Sequence, residues 1–319
     1  MRTPSPHVLP AHPRPSIWAL SACLAAVYVI WGTTYFAIKV GIAELPPFLL
    51  MGTRFTTAGA LLLGWQVARG RPLPTLRQWR GAALIGLLLL DGGNGSVTFA
   101  ERWVSSGATV ALISVMPLAT ALWSGAFGHW PRRLEWAAIA LGGVGAALML
   151  LGRDLRASVP GTLIIALGVC SWSLGTVLSR RIEVPQGPSG FGAEMLAAGI
   201  TGLLISALAG ESLPASLSPR GMAAWLYLVI FGSIIGFSAY RYLVERVSAT
   251  LAATYAYVNP PVGLLVGWWL GGESFSASLL LGLPVVLVAV ALLGWVHTRS
   301  ASAPSVSRAG RAVLVEEPE

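Results

Sequence analysis

V-I-W-G-T-T-Y-F-A-I-K, Val29 to Lys39, recurs as V-C-S-W-S-L-G-T-V-L-S-R, Val169 to Arg180, with Trp31 and Trp172 each eight residues before the closing basic residue. The two tryptophans stand 141 residues apart. Further on, Arg54 precedes Gly59 by five residues as Glu194 precedes Gly199, at an offset of 140. W-V-S-S-G-A-T-V-A-L-I-S-V-M-P, ending at Pro117, then matches R-V-S-A-T-L-A-A-T-Y-A-Y-V-N-P, ending at Pro260, at an offset of 143. Three matches at nearly one spacing identify an internal repeat.

Each copy carries five apolar stretches. Windows of about 20 apolar residues, enough to cross a ~30 Å hydrocarbon core as helix, fall at 18–38, 46–66, 81–100, 106–127, 133–152, 161–180, 190–209, 222–242, 249–270 and 276–297. Five is odd, so the second copy enters the membrane upside down relative to the first, the arrangement of inverted-repeat transporters. The sequence therefore predicts an all-α membrane protein of ten transmembrane helices in two inverted five-helix repeats, 17–152 and 161–297. Proline-rich residues 1–16 and the Ser/Ala/Arg-rich 298–319 read as disordered tails.

Composition agrees. Hydrophobic residues make up 55% of the chain and charged residues 11%, against roughly 25% charged in a soluble domain. The net charge of +8 needs no nucleic-acid partner, because its distribution follows the positive-inside rule. With the N-terminus cytoplasmic, the inner segments carry 15 basic residues and the outer segments five. Both termini are thus predicted to be cytoplasmic, in a multi-pass protein of the inner (cytoplasmic) membrane.

Cys23 and Cys170 lie within predicted helices and read as small apolar packers, so no disulfide framework or cysteine metal site is indicated. His7, His12, His129 and His297 all fall in tails or loops. With Lys39 the sole lysine, no G-x-x-x-x-G-K-[ST] phosphate loop exists, and H-E-x-x-H and G-x-S-x-G are also missing. The reading is a protein that is not an enzyme and uses no cofactor or metal. Closely spaced Gly263, Gly267 and Gly271, with Gly142, Gly143 and Gly145, suit close helix contact within one bundle or across a homodimer.

Several motifs, in order, resemble one family: I-W-G-T-T-Y-F at Ile30 to Phe36, Arg54 after Pro46-Pro47, G-N-G at Gly93 to Gly95 followed by Ala100-Glu101, R-L-E-W at Arg133 to Trp136, Y-V-N-P at Tyr257 to Pro260, and L-G-G-E at Leu270 to Glu273. Together these resemble the drug/metabolite transporter superfamily in its EamA branch, over about Ile17 to Gly294. Glu194 to Gly199 and Phe231 to Ile235 look closest to its YedA-type inner-membrane transporters. The resemblance implies ten helices around a central cavity and outward movement of small metabolites. The first half departs from the pattern: the acid that the second half carries at Glu273 has Trp130 in its place, and Glu135 follows later.

Ionisable side chains within a bilayer cost on the order of 2.5–3.5 kcal/mol each on insertion scales, so each marks a pathway or a pair. Arg54 either receives an anionic group of the substrate or pairs with a carboxylate. Asp91, with Asn94 on the same helical face, either carries protons or is the partner of Arg54. Glu194, at the repeat position of Arg54, is either a gate or a solvated residue near the inner interface. Lys39, Glu101, Arg241 and Glu273 fall at span ends, where long side chains reach water cheaply. Trp31, Thr34, Tyr35, Trp172, Tyr255, Tyr257 and Asn259 supply flat faces and hydrogen-bonding tips for a cavity, and Pro260 bends the ninth span as a hinge or a plain kink. The functional expectation is a secondary exporter of small amino-acid-like or amphipathic organic molecules working by alternating access, with uptake or lipid handling as the other readings.

Overall fold

The computed structural model describes residues 16–104, 109, 112–150, 158–271 and 277–302. Counting a helix that continues through a π-helical stretch as one, ten helices of eleven residues or more are described. These are α1 (Ile17–Ile42), α2 (Pro47–Ala68), α3 (Leu76–Ala100), α4 (Met116–Ala126), α5 (Arg133–Leu150), α6 (Val159–Leu178), α7 (Pro188–Leu208), α8 (Pro219–Arg246), α9 (Tyr255–Gly271) and α10 (Ala277–Ser302). Among the described residues α1, α3, α6, α7 and α8 are each long and apolar enough to cross a membrane. The other five fall short of that standard for local reasons that include the Thr53, Arg54, Thr56 and Thr57 run inside α2 and the 11- and 17-residue lengths of α4 and α9.

Helix starts follow ordinary capping chemistry. Thr75 and Gln78 form a reciprocal capping box on α3. Ser158 and Ser218 accept the amides of Gly161 and Gly221 at the starts of α6 and α8. Glu135, in the R-L-E-W stretch, accepts the Arg132 amide at 2.7 Å and caps α5. At the opposite ends of α2 and α7, Gly70 and Gly210 take left-handed backbone with φ of 74° and 68°, the conformation that stops a helix with least strain in glycine.

Packing brings the two halves of the chain together helix by helix. A Cβ at Gly52 would lie 2.7 Å from the Leu203 amide nitrogen, one at Gly59 2.5 Å from that of Leu196, and one at Gly199 2.3 Å from that of Thr56. As position rises on α2 its neighbour falls on α7, so the pair is antiparallel, with backbones closer than any side chain allows. α3 and α6 are antiparallel by the same reasoning: Ser171 donates to the Leu88 carbonyl at 2.8 Å, while Gly168 lies against Ser96 and Gly93. Two π-helical stretches widen the bundle, Leu87–Gly95 in α3 and Leu228–Ile235 in α8. They begin 141 residues apart, the spacing of Trp31 and Trp172.

Boundaries differ from the sequence reading in three places. α3 begins at Leu76 rather than 81, because the Thr75 cap lets a polar first turn form before the apolar run. The ninth span is broken: a turn at Ala249–Ala252, capped by Ser248, ends before α9 starts at Tyr255. Pro260 and Pro261 therefore sit in the second turn of α9, not at its middle. α10 runs to Ser302, five residues into the expected tail; the rest of both tails, Glu273 and residues 151–157 lie outside the described residues.

Candidate functional site

α1, α2, α3, α4, α6 and α9 surround one central cavity. It is lined by Trp31, Thr34 and Tyr35 of α1, Arg54 of α2, Asn94 of α3, Trp172 of α6, and Tyr255 and Asn259 of α9, with apolar Val97, Met116 and Val169 between them. Eight of the twelve sequence candidates thus meet in one place. The space among them is about 50 Å³, and since one water needs roughly 10–15 Å³ on this measure, it holds a few waters.

One end of the cavity is closed by rings. Trp31 meets Trp172 edge-on at 5.5 Å between centroids, Tyr255 at 4.8 Å, Tyr240 at 5.0 Å and Phe237 at 4.9 Å. Hydrogen bonds fix the cluster: the Trp31 indole donates to the Gly232 carbonyl at 3.2 Å, the Trp172 indole to the Tyr240 hydroxyl at 3.3 Å, and Thr176 shares a 2.6 Å bond with that hydroxyl. Gly93 makes room for Trp172, since a Cβ there would come within 2.6 Å of the indole. Phe237 and Tyr240, three apart on α8, were missed in the sequence; the signal available was their shared helical face.

Arg54 is 1% exposed. Its Nε donates to Ser233 Oγ at 2.8 Å, its guanidinium lies 4.7 Å from the Phe55 ring centroid, and one terminal nitrogen, Nη1, has no partner. Asp91 is not that partner: its Oδ2 is buried without a hydrogen bond of its own, on the π-helical stretch of α3 and outside the cavity lining. Of the two readings of Asp91, the Arg54 pair does not form among the described ion pairs. Asn94 Oδ1 is also buried and unpartnered, and the buried Asn259 amide makes no well-formed hydrogen bond but lies beside the Tyr35 hydroxyl.

Glu194 stands apart from the cavity, and its reading as a solvated interfacial residue is corrected. It has no exposed surface and pairs with Arg241 at 3.2 Å. Arg241 is 7% exposed and also holds Glu245 at 2.6 Å; it does not reach for water, because its guanidinium turns onto Glu194 and lies 5.8 Å from the Phe191 ring centroid of α7. Tyr257 is an anchor rather than a cavity residue, donating to the Ile139 carbonyl of α5 at 2.8 Å with its ring against Gly142. Near Pro260, whose ring cannot donate to the Ala256 carbonyl, that carbonyl receives Ser114 Oγ at 3.5 Å.

The other end of the molecule is laced by two carboxylates. Glu44, after α1, accepts the Ser218 amide at 2.8 Å and the Ser218 hydroxyl at the start of α8. Glu211, after α7, accepts the Leu49 amide at 2.8 Å at the start of α2 and lies 3.7 Å from Arg102. Each places negative charge on a helix N-terminus from the other half of the chain, where the helix dipole favours it.

The sequence pattern of the EamA-like transporter family matches this chain twice, over residues 16–151 and 159–295. This chain belongs to the EamA-like transporter family. It is 45% identical to the uncharacterized inner membrane transporter YedA of Escherichia coli K12, over 86% of this chain and 90% of that one. A chloroplastic WAT1-related protein of Arabidopsis thaliana is 27% identical over 85% of this chain and 68% of its own length, and protein PecM of Dickeya dadantii is 26% identical over 83% and 88%. A crystal structure of a 22% identical protein superposes with a TM-score of 0.73, covering 90% of this chain and all of the other, which establishes a shared fold. The EamA assignment makes this chain a membrane transporter of the drug/metabolite type.

Proposed function

We propose that this EamA-family chain is a secondary transporter, not an enzyme, that exports small amphipathic or amino-acid-like metabolites across the cytoplasmic membrane by alternating access between two inverted five-helix repeats. The observation that carries the reading is the cavity itself: polar and aromatic groups from both halves of the chain converge on it, and rings close one end of it. A transporter needs such a site between two bodies that can rock against each other.

Three features support the inverted arrangement. The π-helical stretches of α3 and α8 recur at the spacing of the sequence repeat; α2 and α7, the equivalent second helices, pack antiparallel through small residues; and the family pattern matches once in each half. The basic asymmetry of the loops supports cytoplasmic termini. In this arrangement the cavity reaches toward the outer ends of α1 and α3, at Ile38 and Val97, and the ring cluster closes the cytoplasmic side.

Inverted membrane vesicles containing the chain, given a panel of labelled metabolites with and without a protonophore, test the proposal. Accumulation of at least one amphipathic metabolite, beyond vesicles lacking the protein, is the expected result. No protein-dependent movement of any panel member, in inverted or right-side-out vesicles, overturns it.

A further inference from the structure

Arg54 is a permanent cation with a missing counter-charge. No carboxylate among the described residues lies within 4 Å of it, while every described ion pair uses another arginine. Its Nε is taken by the neutral Ser233 hydroxyl and its Nη1 by nothing. Gly232 lies beside the other terminal nitrogen, Nη2, where a Cβ would stand 3.0 Å away. Buried charges are ordinarily paired or hydrogen-bonded throughout, so a free guanidinium nitrogen at the wall of a cavity is a built place for an anion.

The surroundings narrow the anion. Among the described residues the cavity lining has Arg54 and no aspartate or glutamate; buried Glu101 acts on Tyr35 from outside the lining, so a cationic ligand meets no carboxylate on the cavity wall itself. Asn259, 2% exposed, offers an amide donor and acceptor beside the Tyr35 hydroxyl, neither in a well-formed hydrogen bond, the neutral complement of a carboxylate already held by a guanidinium. Trp31, Trp172 and Tyr255 offer ring faces and edges for a flat apolar body. We infer that the cavity selects organic monocarboxylates, with the carboxylate on Arg54 Nη1 and the Asn259 amide and the apolar body against Trp31 and Trp172. This rests on the proposed transport reading and narrows its substrates from amphipathic or amino-acid-like metabolites to carboxylates without an ammonium group. In the present closed state, about 50 Å³ admits acetate-sized groups, and larger acids require the Trp31–Trp172 contact to part.

Binding to the full-length chain in lipid nanodiscs tests this at constant ionic strength. The probes are acetate, benzoate and 3-phenylpropionate, the neutral benzamide, the cationic benzylamine, and chloride. Benzoate should bind at least about tenfold more tightly than benzamide or benzylamine, a ratio within reach of one charge-assisted hydrogen-bond set, and chloride should not displace it. In R54Q the benzoate preference should vanish while R54K keeps part of it. Equal binding of benzoate and benzamide, displacement by chloride, binding by no carboxylate, or a folded R54Q that keeps the preference would each overturn the inference. If R54Q does not fold, the wild-type panel still decides, and N259A should weaken benzoate more than benzamide. Labelled benzoate flux in proteoliposomes separates the two readings. Selective benzoate binding with no protein-dependent flux of benzoate or of any panel metabolite defeats the transport proposal and leaves the carboxylate site; flux of neutral or cationic probes without carboxylate preference defeats the site and leaves transport.

Discussion

Trp31 and Trp172, 141 residues apart in the chain, meet edge to face with centroids 5.5 Å apart and planes at 87°. In the proposed inverted arrangement such a contact between matching residues falls near the axis relating the two repeats. Both are at least nine-tenths buried, and each is tied by its indole nitrogen to α8, one to Gly232 and the other to Tyr240. The contact is therefore both a structural centre and the closed end of the cavity.

W172A should be costly. Truncating a buried tryptophan typically loses ~3–5 kcal/mol, and here it also leaves the Tyr240 hydroxyl with Thr176 alone. Thermal unfolding in detergent should show a large drop, whereas Y240F, which removes one hydroxyl, should cost about 1 kcal/mol. Equal losses for the two would contradict the packing described.

Breaking the Glu194–Arg241 pair should be asymmetric. In E194Q, Arg241 keeps Glu245 at 2.6 Å, so the loss should be modest. R241Q strands Glu194, which has no exposed surface and one oxygen already unpartnered, and a stranded buried charge can cost ~3–5 kcal/mol. The double variant E194Q/R241Q should recover much of that loss. Unfolding measurements that rank E194Q as the worst of the three would refute this arrangement.

How far the sequence led can be seen residue by residue. The polar and aromatic lining of the cavity was legible because intramembrane polar groups are expensive and the repeat marks matching positions. Of the two readings of Glu194, the solvated one fails because α8 lays Arg241 against it in the packed bundle, a tertiary fact with no local signature. Tyr257 carries the same residue type as Tyr255 but faces α5, and only helix rotation tells them apart. The break before α9 did have a signal, Ser248 followed three residues later by the Leu251 amide it caps, within a run too apolar to suggest a turn.

The Glu44 cap predicts a pH dependence. Hydrogen bonds from the Ser218 side chain and amide, with Arg220 nearby, hold the Glu44 carboxyl below its ordinary 4.5. A depressed carboxyl stabilises the fold above its unfolded value, and that contribution is lost as pH falls below about 4.5 through the folded value. Protection of the Ser218 and Gly221 amides, taken relative to their intrinsic exchange rates, should fall over that acid range in the wild type and should already be low at neutral pH in E44Q. Identical protection in both proteins would exclude the cap.

G232A should act on the site more than on the fold. The added Cβ would lie 3.0 Å from the Arg54 guanidinium and from Thr34 Cγ2, tight enough to push the guanidinium aside without a backbone clash. Thermal stability should fall by no more than about 1–3 kcal/mol, the usual range for an inserted methyl, while ligand binding at the cavity is lost. Unchanged binding would show that Arg54 does not need this position.

Opposed insertion of the two halves is the central claim, and paired single-cysteine labelling tests it most directly. Ala68 and Ala209 are exposed residues at the ends of the antiparallel helices α2 and α7, beside the left-handed glycines Gly70 and Gly210. With Cys23 and Cys170 replaced, A68C should react with a membrane-impermeant maleimide only from the cytoplasmic side of sealed vesicles, and A209C only from the outside. Labelling of both positions from the same side would contradict the inverted repeat and, with it, the transport cycle proposed for the chain.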